Sequence, residues 1–125
     1  MITPIYAAIL ALIFVFLSVR TLRFRQKKKI IIGSDNDQEL ARAVRAHSNF
    51  AEYVPIGLIL IYMLEAQTES TVLIHVLGIV LIAGRLIHAY GISQTTENIR
   101  FRVAGMALTF ACIISASLRL LFNSL

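Results

Sequence analysis

Four long apolar runs, at residues 2–19, 53–64, 71–84 and 103–122, divide this 125-residue chain, and their combined length is more than one small soluble core can hide. Hydrophobic residues make up 58% of the chain and charged residues 15%, against a soluble norm of about 45–50% and about 25%. Such a pattern excludes an ordinary soluble domain and a disordered chain. A disulfide-stapled secreted fold is excluded too, because Cys112 is the only cysteine. The chain reads as an all-α integral membrane protein.

A spanning helix needs roughly 20 mostly apolar residues. The runs and their flanks predict four spans, at about 2–25, 39–65, 71–90 and 99–124, within one domain covering 1–125. No basic residue precedes the first run and no small-residue cleavage site follows it, so it reads as a span rather than a signal peptide. Pro4 suits a first helical turn, whereas Pro55 falls inside the second helix and is expected to kink it. Residues 33–37 (Gly-Ser-Asp-Asn-Asp) predict a turn that ends in a helix cap.

Charge placement gives a direction. Arg20, Arg23, Arg25, Lys27, Lys28 and Lys29 crowd the first connection, and Arg85, Arg100 and Arg102 flank the third. The second connection, 66–70, has Glu69 and no basic residue. By the positive-inside rule the first and third connections are expected in the cytoplasm, with both termini on the opposite side. The net charge of +5 therefore has a topological explanation, and no aromatic residues are interleaved with the basic ones to form a nucleic-acid platform.

Ionisable groups within membrane-spanning helices cost on the order of 3 kcal/mol or more, which makes each a candidate for function. In the second helix Arg42, Arg45, Asn49 and Glu52 recur at spacings of three, four and three, along one face. Arg85 and His88 share a face of the third helix, and Arg100 and Arg102 open the fourth. With Glu52 expected as the buried counter-charge and Asn49 bridging it to Arg45, positive charge remains in excess. A small polyanion would satisfy it, because the arginine fork matches carboxylates. The competing structural reading is interhelical hydrogen bonding alone.

Other polar groups have simpler expectations. His75 reads as a hydrogen-bonded packing residue, and Cys112 as an inert one. His47 lies off the arginine face with no second ligand at metal-site spacing, so no metal site is expected. Arg119 is expected to snorkel to the interface, and Gly78, Gly84, Ala104, Gly105 and Ala107 to mark close helix approaches.

The stretch 42–55, with Arg42, Arg45-Ala46, Asn49, Glu52 and Pro55, resembles the second-helix signature of the MAPEG family (membrane-associated proteins in eicosanoid and glutathione metabolism). The segment 84–91, with Gly84-Arg85, His88 and Gly91, is similar to the family's third-helix motif, and the basic start of the fourth helix agrees. The resemblance covers essentially the whole chain and looks closest to short bacterial members. It implies a homotrimer of left-handed four-helix bundles in the bacterial inner membrane, with glutathione as co-substrate in clefts between subunits. It also implies that Arg45, Asn49, Glu52 and Tyr53 hold the tripeptide, that Arg85 joins them, and that an arginine opening the fourth helix faces the thiol. Arg100 and Arg102 point to different sides, and Arg100 is the expected catalytic residue. The cationic cluster adds Arg42, His88 and Arg102 to the ligand-binding set.

The activity so implied is glutathione transfer to, or peroxide reduction of, lipophilic small molecules arriving through the surrounding membrane lipids. Catalytic relatives commonly carry tyrosines where this chain has His88 and Ile92, and Tyr90 lies off that face. The alternative expectation is a non-catalytic lipid-binding or scaffold protein. A proton-coupled cation exporter fits poorly, since the first span has no carboxylate and the arginines would repel cations.

Overall fold

The computed structural model describes residues 1–67 and 70–125; Thr68 and Glu69, inside the predicted second connection, lie outside the described residues. Four helices account for the described chain: α1 (Thr3–Lys28), α2 (Gln38–Gln67), α3 (Thr71–Ser93) and α4 (Ile99–Ser124). Each is long and apolar enough to cross a membrane, and the described residues contain no strand. The helices alternate in direction, so the α1–α2 and α3–α4 connections share one end, here called the basic end.

Local chemistry sets the helix limits. α1 begins with Pro at its first turn and no side-chain cap of its own. Instead the Glu65 carboxylate, from the far end of α2, accepts the amides of Ile2 and Thr3. A negative group there satisfies free donors and opposes the positive end of the helix dipole. α1 runs three residues past the expected end at 25. Arg25 folds back to donate to the carbonyls of Ile30 (3.3 Å) and Gly33 (2.8 Å), and Lys29 takes the left-handed conformation that closes the helix.

The predicted turn and cap at 33–37 form as expected. Asp37 Oδ1 accepts the Leu40 amide at 2.9 Å, while Lys28 Nζ reaches Asp37 at 2.6 Å and Glu39 at 2.9 Å. The Lys28 hydrogen bond, helped by the Leu40 amide, holds the Asp37 carboxyl below the usual carboxylate range. α2 continues as helix through Pro55, whose missing amide leaves the Ala51 carbonyl without its helical partner. The Asn98 side chain caps α4 by accepting the Arg100 amide at 3.1 Å.

Packing is uneven. α2 and α3 form the centre, α4 packs on both, and α1 packs on α2 and lightly on α3 without reaching α4. The α3–α4 seam is the tightest. A β-carbon at Gly105 would lie 2.6 Å from the His88 backbone nitrogen and 2.7 Å from the Gly84 carbonyl oxygen, and one at Gly84 would lie 2.9 Å from the Gly105 oxygen. Gly78 lies against the Tyr6 ring, bringing α1 onto α3. Ala104 and Ala107, expected at close approaches, are exposed on α4. Leu10, Phe50, Ile61, Leu77 and Leu81 anchor the apolar core, while Leu12, Phe16, Ile59 and Phe110 stay exposed, as lipid-facing residues do.

Candidate functional site

The innermost charge is Arg85, in α3 and 1% exposed. Its Nε donates to Thr109 Oγ1 at 2.9 Å, and Nη1 donates to Asn49 Oδ1 at 2.5 Å. Nη2 contacts the Met106 sulfur at 3.2 Å, and the guanidinium lies over the Tyr53 ring, 5.4 Å from its centroid. The Thr109 hydroxyl donates in turn to the Gly105 carbonyl at 2.8 Å, which leaves its lone pairs free for Arg85. Among the described residues no carboxylate forms an ion pair with Arg85. A buried cation is therefore held by neutral dipoles alone.

The nearby carboxylate that is enclosed is Glu97, in the α3–α4 connection, with an 11% exposed side chain. Arg42 Nη1 reaches it at 2.5 Å and also donates to the Ile92 carbonyl at 3.1 Å, while Arg102 Nη1 lies 3.2 Å from its other oxygen. Hydrogen bonding from Arg42 first, then Arg102, keeps the Glu97 carboxyl below the usual carboxylate range despite its partial burial. This ion triad ties α2, the α3–α4 connection and α4 together at the basic end.

Glu52, expected as the buried counter-charge, is instead 51% exposed and pairs with Arg45 at 3.5 Å on the outer surface. Asn49 does not bridge those two; it turns inward to Arg85. At 100° per residue, Arg42 and Asn49 form one column and Arg45 and Glu52 another, about 60° round the helix. The predicted face thus divides into an inner and an outer column.

Beside the inner column opens a groove of about 500 Å³ between α2, α3 and α4, with Asn49, His88 and Arg102 as its polar lining and Val103, Met106 and Phe110 as apolar walls. His88 is buried, pressed against Gly105 by the tight seam. Tyr53 stands beside the groove, its ring edge-on to Phe110 at 5.6 Å. Arg100 is exposed, lines no part of this groove and forms no ion pair among the described residues. Of the two arginines that open α4, the structure brings Arg102 to the groove.

Comparison with known proteins adds to this geometry. A family model, the MAPEG family, matches residues 3–122. The chain belongs to the MAPEG family. It is similar to the inner membrane protein YecN of Escherichia coli strain K12, with 34% identity over 114 residues, covering 91% of this chain and 86% of the relative. The same protein from Escherichia coli O6:H1 matches equally. With four helices able to span a bilayer, this MAPEG protein is an integral membrane protein, and the name of its relatives places them in the inner membrane.

The remaining polar groups lie away from the groove. His75 Nδ1 and the Tyr6 hydroxyl are 2.7 Å apart, and His47 Nε2 lies 2.9 Å from the Ser18 hydroxyl and stacks on Phe14. Cys112 is buried with its thiol 3.4 Å from the Leu77 carbonyl, and Arg119 is exposed. Among the described residues no three metal-ligating side chains gather. Sequence reasoning missed Glu97, Thr109 and Met106. Glu97 did leave a signal, being the only acidic residue after Glu69 and lying beside two arginines.

Proposed function

We propose that this MAPEG protein binds glutathione at its basic end and activates its thiol toward lipophilic electrophiles or peroxides dissolved in the membrane. The observation that carries this reading is Arg85, fully buried without a carboxylate partner among the described residues, beside a groove that also receives Arg102. Glutathione carries two carboxylates, one ammonium group and a thiol, and the residues present fit them. Arg45 suits a carboxylate, Glu52 suits the ammonium, and Asn49 and Tyr53 supply neutral hydrogen bonds. Arg42 and His88 support the same set from the inner column and from α3.

Nearby cations favour thiolate over thiol, and the thiolate is the nucleophile. Arg102 is the nearer of the two candidates for that task, with Arg100 outside the groove. The exposed apolar wall of Val103 and Phe110 lets a lipophilic partner enter from the side. Arg45 and Glu52 face outward on a single chain, where they would serve a cleft shared with a neighbouring copy, in keeping with a homotrimer. The basic end faces the cytoplasm of a bacterial inner membrane in this reading, where glutathione is available.

A non-catalytic lipid-binding role is the second reading. It is favoured by α3 offering no phenol to the groove, since His88 and Ile92 are both buried and Tyr90 is exposed against Phe101. Ultraviolet difference absorbance of the detergent-solubilised protein with added glutathione separates the two. Thiolate formation and conjugation of an aryl halide, both lost in Arg102→Gln, are expected of the first. Retained lipid with neither thiolate nor conjugation would favour the second.

A further inference from the structure

Six basic residues lie between Arg20 and Lys29, and their side chains are not equivalent. Lys28 is taken by Asp37 and Glu39, and Arg25 by the carbonyls of Ile30 and Gly33. Arg20, Arg23 and Lys27 lie on one face of α1, at spacings of three and four, and form no ion pair among the described residues. Toward the membrane interior the same face continues as Val19, Phe16 and Leu12, all exposed. Together these residues line a concave track of about 610 Å³.

A second track, of about 350 Å³, runs along the gap where α1 packs only lightly on α3. It shares Phe16 and Arg20 with the first and is walled by Leu17, Leu86, Ala89 and Tyr90. At its polar end Arg20 Nη1 donates to the Ser93 hydroxyl at 2.7 Å, and Ser93 donates on to the Ala89 carbonyl at 2.5 Å. Ser93 therefore fixes the guanidinium at the junction of the two tracks. From Leu12 to Arg20 the helix rises about 12 Å, enough for the upper half of an acyl chain.

Two hydrocarbon tracks converging on a ridge of unpaired cations match one chemistry, a two-chain lipid with a negative head. We propose that this face of α1 is a binding site for an anionic phospholipid, its phosphodiester on Arg20 and Arg23 with Lys27 alongside, and one acyl chain in each track. A single-chain carboxylate would leave one track empty. A zwitterionic lipid would bring its ammonium group against three cations, whereas basic side chains at a membrane surface attract anionic headgroups. The site is separate from the Arg85 groove and does not depend on glutathione binding.

The test is native mass spectrometry of the full chain in mild detergent, titrated with phosphatidylglycerol and with phosphatidylethanolamine of identical acyl chains. Phosphatidylglycerol should be retained preferentially. Losing two cations, in Arg20→Gln with Arg23→Gln, should weaken it roughly 25-fold, at about fivefold per cation. Ser93→Ala should weaken it less, and Lys29→Gln, outside both tracks, should leave it unchanged. Single-chain lysophosphatidylglycerol should bind more weakly, and inorganic phosphate should fail to displace the diacyl lipid. Arg20→Lys with Arg23→Lys should restore binding, which separates charge recognition from misfolding. Equal retention of the two lipids, an unaffected double glutamine variant, or failure of the lysine pair would overturn the site and leave the basic run as topology.

Discussion

Where α3 meets α4, two glycines let the backbones touch, and a fully buried arginine sits beside them in a shell of neutral dipoles. On the outer flank of α1 the residues are bulky, the charges stay at the basic end, and little is buried beyond Leu10, Leu17 and Tyr6. The two regions deal with charge in opposite ways. The seam satisfies a cation by bringing acceptors from two neighbouring helices, α2 and α4, to it, and the flank keeps its cations at the level where water and headgroups reach them. Burial of charge follows from backbone proximity, which small residues control, more than from local hydropathy.

The largest effect should come from breaking the seam. Gly105→Val would drive methyls into the His88 backbone and the Gly84 carbonyl, at a cost of about 3 kcal/mol or more. The matched flank change, Val15→Ala, is exposed and should stay within about 0.5 kcal/mol. Thermal or detergent-driven unfolding followed by circular dichroism measures both, and equal stability of the pair would erase the distinction. Next comes Asn49→Leu, which removes a hydrogen bond from a buried guanidinium and should cost about 2 kcal/mol. Its counterpart on α1, Ser18→Ala, loses the contacts with His47 and with the Phe14 carbonyl and should cost about 1 kcal/mol.

A smaller effect concerns pH. Glu97 has a lowered carboxyl pKa when folded, so its stabilisation is present above the ordinary value of 4.5 and is lost as pH falls through the lower folded value. Melting temperature should therefore drop below about pH 4.5, and the drop should be shallower in Glu97→Gln; an identical profile in the two proteins would show that the triad contributes nothing. Smallest of all is Arg45→Gln. An exposed pair at 3.5 Å should change stability by less than about 0.5 kcal/mol. The same variant should still weaken glutathione binding in a titration if the outer column serves a shared cleft, which sharpens the contrast between a stabilising inner arginine and a ligand-facing outer one.

The four spans were legible because twenty apolar residues in succession have few other fates. The cap at Asp37 was legible because short side chains accept local amides. The arginine face of α2 was legible only as a stripe. Spacings of three and four place residues within a broad arc, and the choice between Asn49 inward and Glu52 outward depends on where α3 supplies Arg85. The partnerships of Glu97 and Thr109 were hidden for a related reason. Each acts through a partner distant in sequence, Arg42 being 55 residues from Glu97 and Arg85 being 24 from Thr109, and periodicity carries no information across helices. The exposed Ala104 and Ala107 show the converse, since small residues mark an approach only on the side where a neighbour stands.

The Arg85 shell also has a consequence for synthesis. Asn49 belongs to a helix made before α3 and Thr109 to one made after it. While α3 crosses the bilayer ahead of α4, its guanidinium lacks one of its main acceptors. The chain is thereby held short of a finished state until its last helix arrives. A molecule truncated before α4 would carry a half-solvated charge in lipid, a defect that membrane quality control is well placed to detect.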